Sequence, residues 1–150
     1  MTAPTIHATA IVIGTTGVLF VGASGSGKSR TALACICAAR QRGLFASLVA
    51  DDRVVVTRAG NSLIARAPHA IKGLAELRGF GIIPVTPLAA ARLSLAIRPL
   101  LPPFGERMAP EEEVFPVAGA SLPLAVLPLL HGVEPLDLLL AIMPLKCSES

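Results

Sequence analysis

Val18-Leu19-Phe20-Val21-Gly22-Ala23-Ser24-Gly25-Ser26-Gly27-Lys28-Ser29 joins a short apolar run to Gly-x-x-x-x-Gly-Lys-Ser, and a helical pattern opens directly behind it. That order is the phosphate-binding loop pattern in the context it requires. The glycines let consecutive backbone N–H groups face one anion, and the following helix directs the positive end of its dipole to the same point. Gly22, Ala23, Ser24, Gly25, Ser26 and Gly27 are therefore expected to cradle the phosphates of a nucleotide. Lys28 would reach the outer phosphates and Ser29 would place its hydroxyl on Mg²⁺.

The segments on either side take their places from this loop. Residues 5–13 are apolar, and Gly14-Thr15-Thr16-Gly17 is a turn signal of hairpin length, so 5–13 and 18–21 are expected to pair antiparallel. Residues 28–40 have no internal Gly or Pro, and Gly43 supplies a helix stop. Residues 44–50 then read as a buried strand, which a right-handed strand-helix-strand connection would lay parallel to 18–21 and beside the loop. Residues 54–56 and 63–65 flank Ala59-Gly60-Asn61 as a second hairpin, and 93–97, 114–117 and 122–127 are strand-like. Residues 99–113 combine prolines, Gly105 and three consecutive glutamates, and read as a surface loop; 134–143 reads as a closing amphipathic helix with Pro135 in its first turn. With no repeat or linker in the 150 residues, a single domain over 1–150 is expected. Its class is expected to be α/β, a compact phosphate-loop domain with a mixed sheet and few helices.

Composition narrows the partners. Hydrophobic residues make up 53% of the chain and charged residues 15%, against about 25% charged in ordinary domains. So little polar surface points to a homo-oligomer. The net charge of +3 comes from arginines spread along the chain without a basic run, which argues against a nucleic-acid groove. Cys35, Cys37 and Cys147 show no metal-like spacing, and they read as small core residues in a reducing compartment. The N-terminus has no signal-peptide pattern, and Pro116, Pro123 and Pro128 interrupt the longest uncharged stretch. No membrane span and a cytoplasmic location are expected.

Asp51-Asp52 ends the strand expected beside the loop, and a hydrophobic run ending in Asp at that place holds Mg²⁺ in phosphate-loop proteins. On extended backbone the two side chains point to opposite sides. Asp52 is assigned to the metal and Asp51 to the base that takes a proton from an attacking hydroxyl; the other reading is a pair of solvated turn aspartates. In Glu76-Leu77-Arg78-Gly79-Phe80-Gly81-Ile82-Ile83, Glu76 and Arg78 would share one face of a strand. They suit a metal-shell carboxylate and a cation for the transferring phosphate, and equally a surface ion pair beside a Gly bend. His7, His69 and His131 have no partner motif.

Taken in order, His7, the loop at 22–29, Leu48-Val49-Ala50-Asp51-Asp52 and the 76–83 segment resemble the catalytic domain of bacterial HPr kinase/phosphorylase. The resemblance covers roughly residues 5–85, and the length is similar to that of the family's short form, which lacks an N-terminal domain. It implies an ATP-dependent protein serine kinase acting on HPr, the small phosphocarrier of the sugar phosphotransferase system, and often the reverse phosphorolysis. It also implies a fold akin to that of phosphoenolpyruvate carboxykinase, and a hexamer. By the same matching Lys28 contacts phosphate, and Ser29, Asp52 and Glu76 lie on the metal side. Asp51 is base or acid, Arg78 is a phosphate-side cation, and His7 enters the active site on this ground alone. The family's Pro-Val-Arg-Pro-Gly-Arg-Asn loop is not matched: its nearest counterpart, 116–122, has neither arginine. A small-molecule kinase and a nucleotide-gated regulatory module are the alternatives that the residues also accommodate.

Overall fold

The computed structural model describes residues 5–68, 74–77, 81–84, 88–102 and 113–147. In chain order these form β1 (Thr5–Ile6), β2 (Thr9–Ile13), β3 (Thr16–Phe20), α1 (Lys28–Gln41), β4 (Ala46–Ala50), β5 (Val54–Ala59), β6 (Ser62–Arg66), β7 (Leu74–Leu77), β8 (Gly81–Pro84), β9 (Ala91–Leu100), β10 (Glu113–Val117), β11 (Ala120–Pro128) and α2 (Pro135–Cys147). Nine strands make one sheet in the order β1-β5-β6-β9-β3-β2-β4, with β11 on β9 and β10 on β11; β7 and β8 pair separately.

The α/β expectation, a phosphate-loop domain akin to phosphoenolpyruvate carboxykinase with a mixed sheet, is corrected here. The described residues form a curled, largely antiparallel half barrel carrying two helices. Only β9 pairs in parallel, with β3 and with β11; the other described pairings are antiparallel. The reason lies in the connections. Ile13 pairs with Thr16, Ala59 with Ser62 and Val117 with Ala120, so two-residue turns return each strand beside its predecessor. A parallel neighbour needs a crossover of a dozen or more residues. The crossover through α1 does not lay β4 against β3 either: β2 stands between them, antiparallel to both. Thus β4 runs in the direction of β3 but one strand away.

Both faces of the central strands are buried. Ile11, Ile13, Val18, Phe20, Leu48, Leu95 and Ile97 meet α1 and α2 on one face. Val12, Leu19, Val49, Val56, Leu63, Ala96 and Leu124 form a second cluster on the other face of the curled sheet. Gly17 marks the tightest approach of β3 to β9, since a Cβ there would lie 2.1 Å from the Arg92 carbonyl oxygen. Helix α2 begins at Pro135 as expected but runs to Cys147 through Pro144. Leu136 and Leu139 are fully buried on it, and Asp137 in its first turn accepts a 2.6 Å hydrogen bond from Arg42, just beyond α1. Of the expected surface loop at 99–113, residues 99–100 belong to β9, Glu113 begins β10, and 103–112 lie outside the described residues.

Candidate active site

The loop between β3 and α1 has the backbone that its glycines predict. Gly22, Gly25 and Gly27 have φ of 137°, 82° and 93°, and a Cβ on Gly22 would come within 2.9 Å of Ser26 Oγ. Helix α1 starts directly after Gly27 with no side-chain cap and no acidic residue in its first turn, so no carboxylate of that turn offsets the positive end of its dipole. Lys28 is buried, and its Nζ donates to the carbonyl oxygens of Gly22 and Ala23, both at 3.0 Å. Burial lowers the ammonium's pKa from its ordinary value; the charges of Asp52 and Asp51 oppose that shift. Ser26 Oγ is buried without a hydrogen-bond partner among the described residues. An uncapped helix start, a desolvated ammonium and an orphaned hydroxyl around one loop fit the phosphates of a nucleotide.

A β-bulge aims Asp51 at this loop. Ile11 pairs with Leu48 and Ala10 with Ala50, which leaves Val49 as an extra residue in β4. Val49 and Ala50 consequently both face the second core cluster, whereas Leu48 faces the helices. Strict alternation from Leu48 would have sent Asp51 away from α1; the bulge returns it to the helix side. There Asp51 Oδ1 accepts hydrogen bonds from Ser29 Oγ at 2.6 Å and Thr9 Oγ1 at 2.9 Å. Asp51 is 8% exposed and Thr9 fully buried.

Asp52 does not continue the strand. Its φ is 72°, a region that Asp tolerates better than most residues, and its carboxylate swings into solvent. Asp52 Oδ1 lies 2.7 Å from His7 Nε2, so the imidazole donates to the carboxylate; both side chains are substantially exposed. The backbone holds this turn in place: Ala8 N–H donates to the Asp52 carbonyl oxygen at 3.2 Å and Arg53 N–H to that of Asp51 at 2.8 Å. His7, Lys28, Ser29, Asp52, Leu101 and Leu129 are among the residues lining a cleft of about 330 Å³ over the loop.

The structure thus brings together His7, the 22–29 loop, Asp51 and Asp52. Glu76 lies on β7, paired with Ile82; Arg78 and His69 lie outside the described residues. The stretch 116–122 spans the β10–β11 turn. Among the described residues no cluster of three His, Cys, Asp or Glu could hold a metal alone. The oxygens of Ser29 and Asp51 still suit Mg²⁺, which commonly takes one or two protein oxygens and completes its shell with water and phosphate. Sequence reasoning passed over Thr9. Its signal was a hydroxyl in an otherwise apolar strand, two residues after His7. Leu101 and Leu129 carried no signal, because only folding brings them to the loop.

Residues 2–92 match the HPr Serine kinase C-terminal domain family. An HPr kinase/phosphorylase of Lactobacillus acidophilus is 45% identical over 87 residues, 57% of this chain and 25% of that protein. HPr kinase/phosphorylase 1 of Oceanobacillus iheyensis is 38% identical over 140 residues, 85% of this chain and 43% of that protein. The chain therefore spans less than half the length of these curated relatives. The structure of the Hpr(Ser) kinase/phosphatase from Coxiella burnetii superimposes with a TM-score of 0.75 at 28% identity, over 97% of this chain and 93% of that one.

Proposed function

The chain belongs to the family of HPr serine kinase C-terminal domains, and from that premise we propose that it is an ATP-dependent protein serine kinase that phosphorylates HPr, and that it also removes the phosphoryl group by phosphorolysis. The observation that carries the reading is the junction of Ser29, Asp51 and Thr9 beside the loop with the Asp52–His7 pair facing the cleft. A nucleotide-gated module has no need of the second pair.

The geometry supports exchanging the roles that the sequence suggested for the two aspartates. Asp51 is buried and bonded to the Ser29 hydroxyl, a place that suits the metal side. Asp52 lines the cleft, where a protein hydroxyl can reach it. In this proposal Lys28 and the loop amides hold the phosphates, and Ser29 and Asp51 hold Mg²⁺. The bound ion would supply charge neutralisation on the phosphate oxygens. Asp52, its carboxylate oriented by His7, takes the proton of the seryl hydroxyl as that oxygen bonds to the terminal phosphorus of ATP and the bond from that phosphorus to the bridging oxygen breaks, releasing ADP. In phosphorolysis it returns the proton to the seryl oxygen, while inorganic phosphate takes the phosphoryl group to give pyrophosphate. Glu76 and Arg78 are proposed as a further metal-side carboxylate and a phosphate-side cation. The reaction is assigned to the cytoplasm and the active assembly to a homo-oligomer, a hexamer by the family resemblance.

The test is transfer of the terminal phosphate of ATP to purified HPr over a range of Mg²⁺ concentrations. Asp52→Asn should abolish transfer at every concentration while nucleotide binding persists. Asp51→Asn should raise the Mg²⁺ requirement. No transfer by the wild-type chain despite ATP binding would reject the HPr kinase reading.

A further inference from the structure

We propose that Leu101 and Leu129 form the nucleoside subsite of this cleft, an apolar wall against which the base and ribose of the bound nucleotide lie. The proposal rests on the phosphate-loop reading above. Strands β11, β9 and β3 are mutually parallel, and β4 runs the same way with β2 between. Their carboxyl ends therefore meet one edge of the sheet, and the residues that leave each strand are set out along that edge in spatial order. Leu129 comes after β11, Leu101 after β9, the phosphate loop after β3, and Asp51-Asp52 after β4. His7 and Thr9 reach the same edge from the start of β2.

The cleft is lined by the polar groups of the loop, His7 and Asp52 and, where β9 and β11 end, by the apolar Leu101 and Leu129. A nucleoside triphosphate has the same asymmetry, with its terminal phosphate at one end and a flat heterocycle at the other. Placing its phosphates on the loop with the terminal one toward Asp52 leaves base and ribose over Leu101 and Leu129. The wall is fixed in position: Leu129 N–H donates to the Leu100 carbonyl oxygen at 2.9 Å, and the Leu129 side chain packs on the helix-side core. Its Cδ1 lies 3.6 Å from where a Cβ on Gly27 would stand, so wall and loop are contiguous. Leu101, by contrast, is 49% exposed. An apolar side chain held at the mouth of a phosphate site gains from any flat apolar group that covers it.

The experiment compares ATP with inorganic tripolyphosphate, which has the anionic chain and no nucleoside, by titration calorimetry with Mg²⁺. Leu101→Ala should weaken ATP about tenfold, the loss expected when roughly two buried methylene-sized groups leave a contact, and should leave tripolyphosphate unchanged. Leu129→Ala should act in the same sense. Because Leu101 is exposed, its variant tests the proposal even if Leu129→Ala unfolds. Equal weakening of both ligands by Leu101→Ala, or unchanged ATP binding, overturns the nucleoside subsite. Lys28→Ala should weaken both ligands; if it weakens neither, the phosphate-loop reading itself fails.

Discussion

Replacing Thr9 by Val keeps the side-chain volume nearly constant at a fully buried position and removes the hydroxyl that donates to Asp51. The stability cost should be about 1–3 kcal/mol, the range for breaking a buried hydrogen bond. Transfer should fall further than stability suggests, by about ten- to a hundredfold, because a carboxylate shifted by a fraction of an ångström no longer meets its partners. Thr9→Ser should restore most of the rate, which kinetics on purified HPr would check. Lys28 makes a prediction about pH. Its folded pKa is depressed by burial, so between that value and the ordinary 10.5 the unfolded chain binds the proton and the folded chain does not. The fold without nucleotide should therefore gain stability from this group as pH rises through that window. Urea unfolding of Lys28→Met should lose that rise. These residues were legible as a motif, since Lys28 and Ser29 follow a loop pattern that needs only local backbone. The different settings of Asp51 and Asp52, one buried against Ser29 and the other exposed beside His7, were not legible. They depend on an extra residue at Val49 and a positive φ at Asp52, neither of which alternation predicts.

Helix α1 separates its cysteines by face: Cys35 is buried and Cys37 exposed. Burial, with the nearby Glu134 charge adding to it, pushes the Cys35 thiol up to about 12. In a Cys147→Ser background at pH 8, Cys37 should react promptly with a thiol reagent, and Cys35 only when the chain unfolds. On α2, Leu139→Ala should destabilise the protein by about 2–5 kcal/mol because it opens a cavity in the helix-side core. Arg42→Ala breaks an exposed ion pair and should cost under about 1 kcal/mol. Denaturant midpoints distinguish the two. The helices and hairpins were readable because capping, periodicity and turn chemistry are local. The end of α2 was not: Pro144 argues for a stop, yet the chain continues helical to Cys147.

For the molecule as a whole, ligand binding should appear as stability. A nucleotide at about a hundred times its dissociation constant adds about 2.7 kcal/mol, or roughly 5–10 °C of melting temperature at this size. Lys28→Ala should lose that gain in a thermal melt. Leu44, Phe45, Val114 and Leu145 are exposed on the single chain; sedimentation of the wild-type protein tests the proposed homo-oligomer and should show an assembly larger than one chain. The sequence by itself determined the phosphate loop, its helix, the hairpins and the acidic pair, because each is written in neighbouring residues. Only the tertiary structure decided that β2 separates β3 from β4, that the sheet curls into a largely antiparallel half barrel, and that Thr9, Leu101 and Leu129 converge on the loop. Strand order and bulges depend on which distant apolar faces find one another, and residues read along the chain carry little record of that choice.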